Sequence, residues 1–191
     1  MRRLLTLALA TSLFAALAIP ASAARPDFAK RSEATVVETA IALSGGANAG
    51  TFDTNPGDFD ILINALIATG AIDLFDGSQN WTVFAPTDQA FLDLASAFAG
   101  EAVTDEAEAF GVIVDTVGAG GVTAVLQYHL TDGVRNSQTV LNAKQITMAD
   151  GNTITARGGF VDANRSDADF VQIDVRAADG MIHVIDTVLL P

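Results

Sequence analysis

Hydrophobic spacing divides the chain into a helical first half and an alternating second half. Phe59, Leu62, Ile63, Leu66 and Ile67 fall at i, i+3, i+4, i+7 and i+8, one face of a 3.6-residue period, with Asp58 as the expected cap and Gly70 as the stop. The same spacing at Phe91, Leu94, Ala95 and Phe98, and again at Phe110, Ile113, Val114 and Val117, predicts two more amphipathic helices. "ATVVETAIALS" reads as a modest first helix, and the Gly-, Asn- and Pro-rich "GGANAGTFDTNPG" after it as an exposed loop. "GAGG", at 118–121, is expected to break the chain before a short apolar turn, "VTAVLQYHL".

From Val134 onward the period becomes two. "KQITMA", "NTITARG", "FVQIDVRA" and "MIHVIDTVLL" predict strands, and the Asp-Gly pairs at 132–133, 150–151 and 179–180 suit the positive φ of tight turns. In the third strand Val171, Ile173 and Val175 are expected to face the core and Gln172, Asp174 and Arg176 the solvent; the fourth, apolar on both faces, reads as a central strand. With the early strand "WTVFA" joining the late sheet, the pattern predicts one α+β domain. The strand-to-helix junction "NWTVFAPTDQAF" lacks the glycines and Lys of a phosphate loop and the Ser or Cys of a nucleophile elbow. It carries helix-start chemistry instead: Pro86 ends the strand, Thr87 caps the free amides, and Asp88 favours the positive end of the helix dipole.

The first 23 residues have two arginines, an apolar run and the small-x-small Ala21-Ser22-Ala23, the layout of an export signal. Cleavage after Ala23 leaves a short tether at 24–33 and a domain at 34–191, long enough to bury a core without staples. Losing Arg2 and Arg3 takes the net charge from −13 to −15, which repels nucleic acid and anionic lipid. The absence of cysteine removes disulfide frameworks, thiol nucleophiles, thiolate zinc sites and a lipidated Cys anchor. The mature chain is therefore expected to be soluble, secreted or periplasmic, with neither membrane insertion nor a nucleic-acid partner.

Candidate chemistry is sparse. His129 and His183 are the only side chains that could serve as neutral-pH bases; both have apolar neighbours, and their spacing is not that of a zinc motif. His183 shares its strand face with Met181, Ile185 and Leu189, the setting of a structural histidine. No Ser has an elbow-like setting, so no catalytic residue, metal or cofactor is expected. Asp162, Asn164, Ser166 and Asp169 alternate as in a calcium loop, but Asp167 and Ile173 stand where Gly and a bidentate Glu are required, which leaves a polar hairpin loop. Asn80 and Asn164 match the N-glycosylation acceptor pattern.

Three segments in order, "TVFAPTDQAF", "LQYHLTDG" and "DGMIHVIDTVLLP", resemble the signature regions of the fasciclin-like domain, over roughly 34–191. The resemblance implies a wedge of N-terminal helices on a twisted sheet, a structural role for Pro86, Thr87, Asp88 and His183, and a non-enzymatic adhesion module whose partner is a surface or matrix protein or glycan. A Tyr-His pair with apolar flanks is linked to adhesion in that family, and here it looks like Tyr128-His129; burial in the core is the rival reading of the same pair. The family's Asp-Ile adhesion pair is similar to Asp174-Val175, with the Ile replaced. The loop at 45–57 is longer than the family's usual link. Some fasciclin-like proteins resemble carriers of carotenoid or lipid, and the 11 phenylalanines, one of them in the signal, could line a groove as readily as fill a core.

Overall fold

The computed structural model describes residues 34–157, 160–162 and 167–191; the export segment, the tether, Asn164 and Ser166 lie outside the described residues. Helix α1 (Val36–Leu43) opens on a capping box in which the Thr35 hydroxyl accepts from the Glu38 amide and the Glu38 carboxylate accepts from the Thr35 amide. Helix α2 (Asp60–Thr69) ends on Gly70, whose φ of 69° suits a residue without a Cβ. Strand β1 (Trp81–Pro86) leads into α3 (Asp88–Ala99), and α4 (Glu106–Tyr128) follows, capped by the Asp105 side chain on the Glu108 amide. The remainder runs β2 (Leu130–Asp132), α5 (Ser137–Asn142), β3 (Ile146–Thr147), β4 (Thr153–Arg157), β5 (Phe160–Asp162), β6 (Asp167–Arg176) and β7 (Gly180–Ile185).

Two local expectations give way here. Gly118 alone leaves helical geometry (φ 70°, ψ 167°), so "GAGG" kinks α4 rather than ending it, and the segment expected as a turn continues the helix to Tyr128. By length and composition α4 could cross a membrane, but its Ala109, Ile113, Val122 and Leu126 are buried in the core. Asp58 does not cap α2 either: the N-cap position belongs to Phe59, with no side-chain cap from within the segment.

The strands form one seven-stranded sheet in the order β2-β1-β7-β6-β5-β4-β3, with β1 and β7 parallel and the other neighbours antiparallel. "WTVFA" thus joins the late sheet, and the α+β class holds. Both faces of the central pair are covered. Val83, Ala85, Ile182 and Val184 belong to the cluster that includes Leu62, Leu66, Phe91 and Ile113 from the helices, while Phe84 and Ile185 belong to a second cluster with Tyr128, Val140 and Ile154. All six residues of β7 are consequently buried.

The expected alternation in β6 fails. Val171 and Ile173 are 61 % and 47 % exposed, and only Val175 packs against the larger cluster. Irregularities between Phe170 and Gln172 and between Gln172 and Val175 shift the register, and each slip turns the following side chains to the other face.

Gly180 departs from its expected role in a different way. Gly133 and Gly151 do have positive φ (82° and 88°), but Gly180 does not; a Cβ there would fall on the backbone oxygen of Trp81 and against Val36. The glycine is required because β1 and β7 approach at Trp81–Gly180 with α1 above them. Gly180→Ala is expected to destabilise the protein by about 3 kcal/mol or more, beyond ordinary overpacking, because backbone cannot yield as a side chain does. Urea unfolding followed by circular dichroism checks this.

Candidate functional site

The Pro86-Thr87-Asp88 junction is a reciprocal clamp between two helix starts. The Asp88 carboxylate accepts from the amides of Asp60 and Ile61, each at 2.9 Å, and so supplies the cap that α2 lacks. In the other direction the Asp88 and Gln89 amides, at the start of α3, donate to the carbonyls of Asp58 (3.0 Å) and Pro56 (2.8 Å). Thr87 occupies the N-cap position of α3, but its side chain makes no capping bond, because loop carbonyls satisfy those amides. The capping role expected of Thr87 is therefore corrected, whereas Asp88 does stand in the first turn of α3, and in addition accepts from the amides of a neighbouring helix.

The same junction gathers acids that lie far apart in the sequence. Asp53, Asp58, Asp60, Asp88 and Glu106 converge from the loop, α2, α3 and α4. The loop at 45–57 is pinned on them: Gly50 N donates to Asp60 Oδ1 at 2.7 Å, Asp53 N to Glu106 Oε2 at 2.7 Å, and Asn55 Nδ2 to Asp58 Oδ2 at 3.0 Å. Phe52 and Phe110 meet alongside, ring centres 5.9 Å apart and planes tilted by 40°. Burial pushes the Asp88 carboxyl up to about 8, reinforced by Asp58 and opposed by the Ile61 and Asp60 amides. Burial likewise raises Asp60 and Glu106, each held down in part by its loop amide. "DTNPGDFD" carries three of the acids within eight residues, a stretch whose composition suggests an exposed loop with Asp58 as a helix cap.

The pairs suggested for adhesion are structural in their contacts. Tyr128 and His129 are 0 % and 3 % exposed, so a receptor-facing role does not fit them. His129 Nδ1 lies 2.7 Å from the Val125 carbonyl, and its Nε2 accepts from the Leu189 amide at 2.9 Å. That geometry sets the neutral tautomer with the proton on Nδ1, and burial lowers the imidazole to about 4 against the pull of the Val125 carbonyl. His183 is also fully buried, between Arg135 O (2.9 Å) and the Asp174 amide (3.3 Å), and burial lowers it too. Asp174, at φ 60°, turns its carboxylate onto Ser137, taking the amide and the hydroxyl at 2.7 Å each. Burial tends to raise Asp174, but the Ser137 bonds, with His183 and Arg176, hold it below the usual range. Val175 packs partly buried against the core. Asn80, by contrast, is exposed.

Between α2, α3 and the two halves of α4 lies a small apolar crevice of about 30 Å³, with Phe91, Phe98, Phe110 and Leu94 among its lining residues. Here the fold and its junction meet known proteins. The Fasciclin domain matches residues 57–191, and the chain belongs to that family of adhesion-type domains. It is 28 % identical over 134 residues to Protein sll1483 of Synechocystis, covering 70 % of this chain and 67 % of that protein. It is also 28 % identical over 114 residues to Immunogenic protein MPB70 of Mycobacterium bovis, covering 60 % of this chain and 51 % of that protein. The FAS1 domain pair of the insect cell adhesion molecule Fasciclin I shares the fold, with a TM-score of 0.59, 16 % identity, and coverage of 84 % of this chain and 52 % of the pair. The chain thus spans about half the length of the mycobacterial relative and of the insect pair.

Asp88→Ala is expected to cost about 2 to 4 kcal/mol in urea melts, because two buried amides lose their acceptor. His129 generates a pH prediction. Its folded value lies below the unfolded one, so the unfolded chain binds the extra proton and stability falls as pH drops from about 6.5 towards 4. Asp88, raised when folded, acts with the opposite sign over the same range, so the wild type alone shows a partly cancelled slope. The stability difference between wild type and His129→Gln, in which Asp88 cancels, should shrink by about 3 kcal/mol between pH 7 and pH 4.

Proposed function

We propose that the chain is an exported, non-catalytic interaction module that binds a surface or matrix protein or glycan through its long 45–57 loop. The observation that carries this reading is the loop's construction: Ala47, Asn48, Thr51, Thr54 and Pro56 are exposed, while Gly50 and Asp53 are tied through their amides to the acids beneath. Exposed side chains on a rigid base lose little conformational freedom on binding, which is what a recognition loop requires. Both histidines have their ring nitrogens engaged by backbone groups inside the core, so neither offers a free base at the surface. Export is supported by the N-terminal pattern and by the family's usual setting outside the cell. A second reading, a carrier of a small apolar ligand such as a carotenoid or lipid, rests on the wholly apolar lining of the crevice between α2, α3 and α4, which has to widen before it admits such a ligand.

Binding of the labelled mature protein to envelope from its native host tests the first reading. Thr51→Arg with Thr54→Arg is expected to weaken binding by about tenfold or more, leaving the melting temperature within about 2 °C. Unchanged binding overturns the loop assignment. Coloured or lipid material extracted from natively purified protein would favour the carrier instead.

A further inference from the structure

Among the described residues, one buried side-chain oxygen at the junction is left outside these bonds. Asp58 is 4 % exposed; its Oδ2 accepts from Asn55, while its Oδ1 is fully buried and meets no N–H or hydroxyl donor, so that among its neighbours only a protonated Asp88 could donate to this carboxylate. That oxygen belongs to a carboxylate that faces four others. Carboxylate oxygens of Asp53, Asp58 and Glu106 lie within 4.8 Å of one another, and so do those of Asp58, Asp60 and Asp88. Amides already steady most of the neighbours: Asp88 holds α2, Asp60 holds Gly50, and Glu106 holds Asp53. No lysine or arginine occurs between positions 33 and 134, so none of the segments that build the cluster carries a basic side chain. A buried carboxylate oxygen among like charges needs a positive partner, either a proton or a cation.

We propose that this pocket binds one divalent cation of the calcium type, held by Asp53, Asp58 and Glu106, with Asp60 and Asp88 behind them. The donor set is all oxygen, which suits a hard cation and not zinc or copper. Calcium takes six to eight oxygens in flexible geometry, whereas magnesium demands a near-octahedral shell and keeps several of its waters, so carboxylates gathered from a loop and three helices suit the larger ion. Asp53 is exposed and marks the side from which the ion arrives and from which water completes its shell. Bound there, the cation joins the 45–57 loop to the first turn of α4, beside the Phe52–Phe110 contact that already brings the two together.

This inference does not depend on the adhesion reading, because its test requires no partner. The mature protein is stripped with chelator, and its melting temperature is followed in CaCl2, in MgCl2 and in NaCl of matched ionic strength. With a dissociation constant of about 0.1 to 1 mM, the range of extracellular calcium modules, calcium at tenfold excess should raise the melting temperature by about 3 to 6 °C. Asp58→Asn abolishes that shift, and Asp115→Asn, at an exposed position on α4, retains it. Should Asp58→Asn fail to fold, Asp53→Asn at the exposed mouth decides the matter, with calcium affinity reduced by about tenfold or more. A calcium shift no larger than that of NaCl means that a proton shared between Asp58 and Asp88 fills the role, and overturns the site. An equal response to magnesium, or a full calcium response in Asp53→Asn, overturns the assignment as well.

Discussion

The fold turns on the carboxylate of Asp88. A helix start exposes amides that need acceptors, and α2 has none of its own, since Phe59 stands at its N-cap. Asp88 provides both acceptors from the first turn of α3, and the amides of α3 return the exchange onto the Pro56 and Asp58 carbonyls. Neither helix can leave without stranding polar groups of the other in the interior. Because Asp88 follows directly on β1, this exchange also sets where α2 and the long loop sit against the centre of the sheet.

The same device recurs at two further helix starts. Asp179, just before β7, accepts from the Val36 amide at the start of α1, and Asp174, at the irregular part of β6, accepts from Ser137 at the start of α5. Each places a negative group at the positive end of a helix and ties elements far apart in the chain, the role that disulfides play in many exported domains. The left-handed backbone at Asp174 falls in this irregular stretch, where the carboxylate meets α5 and the amide of the same residue meets His183.

These ties bear on recognition. Tyr128 and His129 are buried within the fold, and Asp174, though exposed, has its carboxylate taken by Ser137. The 45–57 loop is distinctive because acids, rather than apolar packing alone, support it from below. Its shape is therefore sensitive to whatever neutralises those acids.

Local physics made much of this legible from the chain. The 3.6-residue spacing of α2, α3 and the first part of α4, the stop at Gly70 and the both-faces-apolar pattern of β7 each arise within one segment and need no partner to be read. What was misread depended on distant groups. Thr87 looked like a cap because the carbonyls that take the α3 amides lie on a loop some thirty residues earlier in the chain. Val171 and Ile173 looked inward because the register shifts of β6 are set by its pairing with β7, and Gly180 looked like a turn glycine because the Trp81 carbonyl that excludes a Cβ belongs to another strand. The acid cluster escaped notice since Asp53, Asp58 and Asp60 meet Asp88 and Glu106 only after α2, α3 and α4 have packed. Periodicity, helix stops and family motifs were thus determined by the sequence alone. The partners of the buried carboxylates and imidazoles were decided only by the tertiary structure, because hydrogen-bond satisfaction in a core is a property of the groups brought together and not of any one segment.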